Sequence, residues 1–211
     1  MLTKAQLVRW LETSADLFAA QKAYLTELDS AIGDADHGIN MARGFAKVAE
    51  KLPSVAESDI GNILKTTGMT LMSSVGGASG PLYGTFFMRA GQAAPDQDVL
   101  AASDLAAIFE AGLAGLVQRG RAEVGDKTMI DAWTPALAAL KASIAADETL
   151  LEALIACVNA AEQGVQDSIP LIAKKGRASY LGERSAGHPD PGATSSYYLL
   201  KVLLETVKAD A

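Results

Sequence analysis

The sequence predicts an all-α protein, built from eight antiparallel helices that run up and down. Ala and Leu dominate the composition, runs of β-branched residues are scarce, and aromatic residues make up only 6%. This composition favours helices over strands. Apolar residues recur at helical spacing along most of the chain, and the segments between them are mostly short. Helices joined by short turns pack antiparallel, which gives the predicted arrangement.

The eight predicted helices are bounded by capping residues, glycine or proline. Thr3 and Gln6 form a capping box for the first helix, and Pro53 stops the second. Pro81 is tolerated in the first turn of the fourth helix, and Ser103 is expected to cap the fifth. The predicted helices cover approximately residues 3–29, 38–52, 58–74, 81–88, 103–119, 128–144, 147–169 and 192–208. Loops are expected at 95–102 and 120–127, with a long polar loop at 172–191.

Length and charge limit the classes of function. A chain of 211 residues is expected to form a single domain, residues 1–211, with a substantial core. A net charge of −7 argues against a nucleic-acid surface. No apolar run approaches the roughly 18 residues that span a bilayer, and the N-terminus lacks the apolar segment of a signal peptide. Cys157 is the only cysteine and is expected to be a buried, inert thiol. We therefore expect a cytoplasmic protein with no nucleic-acid or membrane partner.

The antiparallel topology brings the unusual segments of the chain to one end. The connections between helices 1–2, 3–4, 5–6 and 7–8 all fall there. They contain the segments rich in glycine or aspartate, at 29–40, 76–81, 120–131 and 174–195. Four helices begin at that end, so their exposed N–H groups and positive dipole ends meet. Such an end is suited to bind an anion.

The first of these segments contains three carboxylates. Asp29, Asp34 and Asp36 are interrupted by Gly33 and followed by Gly38. A continuous helix would turn Asp34 away, whereas a glycine break lets all three side chains face one point. Oxygen ligands with no nearby cysteine suit Mg²⁺ before Zn²⁺, and Mg²⁺ keeps positions open for water and phosphate. The alternative is that these residues are ordinary helix caps and turn formers.

The glycine-rich segment 76–80 has no side chain larger than Ser. Its backbone N–H groups could approach a phosphate, with Ser79 as a hydroxyl donor, or the segment could be a tight turn between helices. It is not a Walker loop, because no Gly-Lys-Ser/Thr follows.

The last two segments each leave alternatives open. Asp126 or Thr128 is expected to cap the sixth helix, and Lys127 either reaches a phosphate or stays in solvent. Met129 and Trp133 on the same helix either wall a nucleotide base or belong to the core. The cations at 174–177 either meet a polyphosphate or form a solvated loop.

Neither histidine has a partner for nucleophilic catalysis, and no Ser/His/Asp, Cys/His or CxxC arrangement is present. For His37 and His188 we prefer a neutral hydrogen-bonding role to a phosphohistidine. Phosphoryl transfer at a metal and helix N-termini needs no covalent intermediate.

The segments together are more specific than each alone. They read Asp-x4-Asp-x-Asp-His-Gly-x-Asn, Gly-Gly-Ala-Ser-Gly-Pro-Leu-Tyr-Gly, Gly-Asp-Lys-Thr-Met, and Lys-Gly-Arg-Ala-Ser-Tyr-Leu-Gly-Glu-Arg-Ser-Ala-Gly-His-Pro-Asp-Pro-Gly-Ala-Thr-Ser. Over essentially the whole chain, this combination resembles the nucleotide-binding L subunit of dihydroxyacetone kinases of the phosphotransferase-system-dependent type. The resemblance implies an eight-helix antiparallel barrel that holds a nucleotide and two Mg²⁺ at one end.

The resemblance also implies the site residues. Asp29, Asp34 and Asp36 would hold the Mg²⁺ ions, and Ser79 and Arg177 would support transfer without any certain catalytic side chain. The residues expected around ADP or ATP are His37, Gly38, Ile39, Asn40, Ala78, Ser79, Gly120, Met129, Arg177, Asp190, Pro191 and Gly192.

The function implied is that of one subunit of a phosphoenolpyruvate-dependent phosphotransferase. Its partners would be a K subunit that holds dihydroxyacetone and an M subunit that supplies a phosphohistidine. One alternative is a subunit that exchanges free ATP in a short-sugar kinase. The other is a nucleotide-bound module without turnover whose partner is a transcriptional regulator.

Overall fold

The computed structural model describes residues 1–94 and 96–210, which form nine α-helices and one two-stranded sheet. The helices are α1 Lys4–Ala20, α2 Lys22–Ile32, α3 His37–Lys51, α4 Ile60–Ser74, α5 Ser79–Ala93, α6 Ala102–Gly120, α7 Ile130–Ala145, α8 Leu150–Ser168 and α9 Pro191–Lys208. Strands β1 Leu2–Thr3 and β2 Val99–Leu100 pair antiparallel. Two 3₁₀ helices cover Leu52–Ser54 and Arg177–Ser185. The predicted all-α class is confirmed.

Eight of the helices form a closed ring of contacts. From α3 to α9 each helix packs against the next one in the chain, and α1 closes the ring by contacting α3 and α9. Helix α2 packs against α3 and α9. A single hydrophobic cluster joins residues from Leu2 to Val207. The antiparallel barrel and the single domain over 1–211 stay predictions, and this ring and cluster support both.

The prediction of one helix from residue 3 to 29 is wrong. Gln21 leaves the helical conformation, with φ −90° and ψ 5°, and separates α1 from α2. The break lets α2 turn away from α1 and pack against α3 and α9. Helix α2 then continues to Ile32, three residues past the predicted end.

Other predicted boundaries also shift. Ser103 does not cap the fifth predicted helix, because α6 already begins at Ala102 and the Asp104 carboxylate accepts a hydrogen bond from the Ala101 N–H at 2.9 Å. The predicted loop at 95–102 contains β2, while its first residue, Pro95, lies outside the described residues. The long loop at 172–191 contains the 3₁₀ helix Arg177–Ser185.

The core is aromatic where the helices cross. Trp133 lies 4.3 Å from Phe86 and 5.3 Å from Phe109, centroid to centroid, so it belongs to the core. Helices α7 and α8 approach closely beside it, because a Cβ at Gly164 would collide with the Asp131 carbonyl oxygen. This contact fixes the start of α7 against α8.

The two ends of the described chain lie together. The Gln6 side chain on α1 donates to the Asp210 carboxylate at 3.1 Å, just past the end of α9. No helix in the described part of the chain has both the length and the apolar character needed to cross a membrane.

Candidate nucleotide and metal site

A cavity of about 420 Å³ opens where α3, α5, α7 and α9 begin. His37, Ser79, Ile130 and Pro191, the first residues of these four helices, all line it. The structure therefore brings together the four helix N-termini that the topology argument placed at one end. The positive ends of their dipoles make the cavity attractive to an anion, although Asp29 and Asp190 already accept from some of their N–H groups.

Three carboxylates form a cluster on the cavity wall. One oxygen each from Asp29, Asp34 and Asp36 lies within 4.8 Å of the other two. A Cβ at Gly33 would collide with the Asp29 carboxylate, so only glycine fits at this break. The ligand set is entirely carboxylate oxygen and includes no sulfur, which fits Mg²⁺.

Asp29 has two roles in this cluster. Its side chain is 8% exposed, and Oδ2 accepts from the N–H groups of Asp36 at 2.8 Å and His37 at 3.0 Å. Asp29 thus caps α3, while Asp36, at the cap position itself, makes no side-chain capping bond. The capping alternative holds for Asp29 and fails for Asp36.

His37 is buried between two hydroxyl groups. Its Nδ1 lies 3.0 Å from Ser79 Oγ, and its Nε2 lies 2.9 Å from Ser195 Oγ. Burial lowers the pKa of His37 to about 4, and the charges of Asp29 and Asp36 only partly oppose this. The ring is therefore neutral at pH 7, and both nitrogens are already engaged. The His188 side chain is exposed and lies outside the cavity wall.

The glycine-rich segment faces the cavity from the opposite side. Gly76, Gly77, Ala78 and Ser79 all line it, and Gly77 takes the left-handed conformation with φ 63°. Its backbone is exposed to the cavity because no bulky side chain covers it. The segment is the turn between α4 and α5, and its role as a surface for an anion stays a prediction.

Lys127 differs from both alternatives considered for it. Its side chain is 1% exposed, and Nζ donates to the carbonyl oxygens of Ser168 at 2.8 Å, Ile169 at 2.9 Å and His188 at 2.6 Å. Burial lowers the pKa of Lys127, while the charges of Asp190 and Asp131 oppose this. The ammonium group ties the end of α8 to the segment that leads into α9. It is a structural clamp that is neither solvated nor directed at a phosphate.

Asp131 accepts hydrogen bonds from backbone N–H groups at the start of α7, a role that was expected of Asp126 or Thr128. Its carboxylate accepts from the N–H of Thr128 at 2.7 Å, whereas Asp126 accepts from the Glu123 N–H at 2.9 Å. The Thr128 hydroxyl accepts from the Ile130 N–H at 3.2 Å. The predicted cap at Asp126 is therefore wrong, since its carboxylate holds the preceding turn.

Two residues of the final segment place charge at the cavity. Arg177 Nε lies 2.9 Å from Asp34 Oδ2, and its side chain is 66% exposed. Asp190 is the cap of α9 and accepts from the Ala193 N–H at 2.7 Å. Burial raises the pKa of Asp190 to about 7, against the opposing effect of this bond and of Lys127.

The structure brings most of the predicted site residues to one cavity. The predicted residues on its wall are Asp29, Asp34, Asp36, His37, Ala78, Ser79, Gly120, Met129, Arg177, Asp190, Pro191 and Gly192. Gly38, Ile39 and Asn40 do not line it. Gly38 packs against Lys22 and Thr26 of α2, and the Asn40 side chain accepts from Arg43 at 2.7 Å. The role of each residue in binding stays a prediction.

An apolar part of the cavity wall was not predicted. It is formed by Ile32, Leu82, Leu116, Ala122 and Ile130. Their helical spacing is the same as that of core residues, so sequence pattern alone does not separate them from the core. With Met129 they form an apolar part of the cavity wall.

Comparisons with known proteins agree on one family. The sequence matches the DAK2 domain over residues 31–205. It is 52% identical to the ADP-binding subunit DhaL of the PEP-dependent dihydroxyacetone kinase of Escherichia coli, over 98% of this chain and 99% of that protein. It is 44% identical to the ADP-binding subunit DhaL of the PTS-dependent dihydroxyacetone kinase of Lactococcus lactis, over 98% of this chain and 100% of that protein. Among solved structures, dihydroxyacetone kinase from C. freundii in complex with AMP-PNP and Mg²⁺ superposes with a TM-score of 0.71 at 27% identity. That match covers 96% of this chain and 33% of the other.

Proposed function

Because this chain belongs to the DAK2 domain family, and within it to the ADP-binding subunits of PEP-dependent dihydroxyacetone kinases, we propose that it is the nucleotide carrier of a cytoplasmic phosphotransferase. Its bound ADP would receive a phosphoryl group from a phosphohistidine on an M subunit. The resulting γ-phosphoryl group would pass to a hydroxyl of dihydroxyacetone on a K subunit, which regenerates ADP and gives dihydroxyacetone phosphate. The observation that carries this proposal is a single cavity in which three carboxylates face four helix N-termini.

Asp29, Asp34 and Asp36 would hold two Mg²⁺ together with the diphosphate. When bound, Mg²⁺ neutralises phosphate oxygens and stabilises the charge that develops on the transferred group. The three side chains offer only oxygen, and their spread of 4.8 Å is small enough for shared ions. Bound cations would also explain how a protein of net charge −7 could hold a polyphosphate, because they would offset the charge of both the carboxylates and the phosphates.

The remaining polar groups would position the nucleotide. The starts of α3, α5 and α9 lie at the cavity, and their helix dipoles would attract phosphate groups without reorganisation. Ser79 adds a hydroxyl, and Arg177 adds a positive charge at the mouth. The apolar wall with Met129 suits the adenine ring, because nucleotide bases bind to apolar surfaces.

A single mixing experiment distinguishes this proposal from its alternatives. The purified chain, loaded with Mg-ATP, would be mixed with a K subunit and dihydroxyacetone, without the phosphotransferase proteins. We expect about one equivalent of dihydroxyacetone phosphate per chain, because the nucleotide stays bound. Many turnovers would instead identify a kinase that exchanges ATP, and no product would identify a module without turnover.

Arg177 tests whether the ligand is a polyphosphate. Replacing it by Ala should weaken Mg-ADP binding about tenfold and reduce the Mg-ADP-induced rise in melting temperature. The melting temperature without ligand should change little, because an ion pair as exposed as Arg177–Asp34 contributes about 0–1 kcal/mol. Differential scanning fluorimetry measures both. Arg184→Ala is the matched control, since Arg184 lies in the same segment, beyond a kink at Gly182, and does not line the cavity. Equal Mg-ADP shifts in the two variants would contradict the assigned role.

A further inference from the structure

A chain of hydroxyl groups leads from the cavity into the core through His37. Ser79 on α5 contacts Nδ1 of His37, and Ser195 on α9 contacts Nε2. Ser195 Oγ also lies 2.7 Å from the hydroxyl of Tyr83, which is buried on α5. The chain therefore links three helices that meet at the cavity, and its outermost member is a group that a ligand can reach.

Each of these groups has one proton to donate, so the direction of the chain can be followed. Ser196 Oγ donates to the Gly192 carbonyl oxygen at 2.8 Å, which leaves it able to accept from Tyr83 at 3.0 Å. Ser195 can donate either to His37 Nε2 or to the Gly192 carbonyl oxygen at 3.1 Å. The neutral imidazole ring carries one N–H and one acceptor nitrogen.

Two arrangements use the same number of protons and keep both hydrogen bonds of the His37 ring. In the first, Nε2–H donates to Ser195, and Ser79 donates to Nδ1. In the second, Ser195 donates to Nε2, and Nδ1–H donates to Ser79. The difference matters at the cavity: in the first arrangement the Ser79 proton is used internally, and in the second it is free for a ligand.

Phosphate oxygens accept hydrogen bonds but do not donate them when ionised. We propose that His37 is a positioning residue that fixes the Ser79 hydroxyl as a donor to an anionic ligand. Binding of the ligand at Ser79 selects the Nδ1–H tautomer of the ring, and Ser195 supports this tautomer from the far side of the ring. This inference rests on the proposed function, because it requires a phosphate group in the cavity. It gives buried Ser195 and Tyr83, neither of which lines the cavity, an indirect part in recognising charge.

The chain also explains why the Ser79 oxygen is in place before the ligand arrives. The Ser79 oxygen is held at one point by the ring nitrogen, and the ring is held in turn by Ser195 on another helix. Only the proton positions change between the two arrangements. Hydrogen bonds in such a buried chain strengthen one another, so a donor supported from behind binds an anion better than an isolated hydroxyl.

Nitrogen NMR of the imidazole rings tests the tautomer directly. The sequence has two histidines, and exposed His188 serves as an internal reference. Spectra of ¹⁵N-histidine-labelled protein would be compared without ligand, with Mg²⁺ and adenosine, and with Mg-ADP. We expect Mg-ADP to give a His37 ring protonated at Nδ1 alone, and adenosine to leave the spectrum of the free protein. Protonation at Nε2 alone, or at both nitrogens, with Mg-ADP bound would overturn the proposal.

A matched pair of variants tests the consequence for affinity. Asn and Leu have nearly the same size, but only Asn can place an N–H near the position of Nδ1. We expect His37→Asn to bind Mg-ADP within about threefold of the unmodified protein and His37→Leu to bind about tenfold more weakly by calorimetry. Equal affinities for the two variants would overturn the donor role. If either variant melts early, Ser79→Ala replaces the pair: it should abolish the Mg-ADP-induced tautomer change, and a retained change would overturn the proposal. No binding of Mg-ADP to the unmodified protein would overturn the proposed function as well, whereas binding without a tautomer change would overturn this inference alone.

Discussion

Replacing Asp36 by Asn is expected to weaken Mg-ADP binding about 100-fold without unfolding the protein. Asp36 belongs to the carboxylate cluster, yet its side chain makes no capping bond to α3. Asn keeps the shape of the side chain but removes the negative charge that a hard cation requires. Free of ligand, the variant should melt at the same temperature or higher, because three carboxylates within 4.8 Å repel one another.

Calorimetry of Mg-ADP binding and thermal unfolding of the free protein measure the two effects. Asp16→Asn is the control, because Asp16 is an exposed aspartate on α1 outside the cavity wall. The control removes the same charge from the whole molecule, so it corrects for the change in net charge. Equal affinity in the two variants, or tight ADP binding by the unmodified protein in excess chelator, would show that the cluster does not hold the ions.

Replacing Lys127 by Met is expected to lower the free energy of unfolding by about 3 kcal/mol. Met fills a similar volume but leaves three carbonyl oxygens without the ammonium group. Ser168 and Ile169 keep the weaker support of the N–H groups of Leu171 and Gly187, at 3.2 and 2.8 Å. The His188 carbonyl therefore loses its ammonium donor without a replacement among the described residues, and the segment that leads to Asp190 loses most of the stabilisation.

Urea unfolding without ligand measures this loss. Lys174→Met is the control, because Lys174 belongs to the same region but is exposed and contacts Asp126 only at 3.5 Å. Mg-ADP binding should also weaken in the Lys127 variant, since Asp190, Pro191 and Gly192 line the cavity. A Lys127→Met protein as stable as the Lys174→Met protein would mean that the carbonyl groups find other donors at little cost.

The helical class follows from composition and spacing, while the interruptions depend on contacts between distant residues. Helix propensity extends across Gln21, so local pattern does not mark the break between α1 and α2. Its cause is tertiary, since α2 packs against α3 and α9 and only weakly against α1. The start of α6 was misplaced for a local reason, because the Asp104 side chain satisfies the N–H of Ala101 and makes a cap at Ser103 unnecessary.

The candidate site also combines features that follow from local sequence with features that depend on contacts between distant residues. The carboxylate cluster was predictable because Gly33 breaks a helix between acidic residues, and glycine at such a place has a geometric meaning. The buried position of Lys127 was not predictable, because its three carbonyl partners lie 41 to 61 residues further along the chain. Ser195 and Tyr83 were also missed as partners of His37, since only the fold brings α3, α5 and α9 to one point.

The contact between Gln6 and Asp210 bears on where tags or other domains can be fused to this chain. Helix α9 has 18 residues and begins at the cavity with Pro191, so its other end lies about 27 Å away along the helix axis. Gln6 and Asp210 therefore meet at the end remote from the cavity. Affinity tags or fused domains at either end should therefore leave the mouth of the cavity free. The same proximity suits circular permutation: a short linker could join these ends, and new termini in an exposed turn between two ring helices would preserve the four helix starts at the cavity.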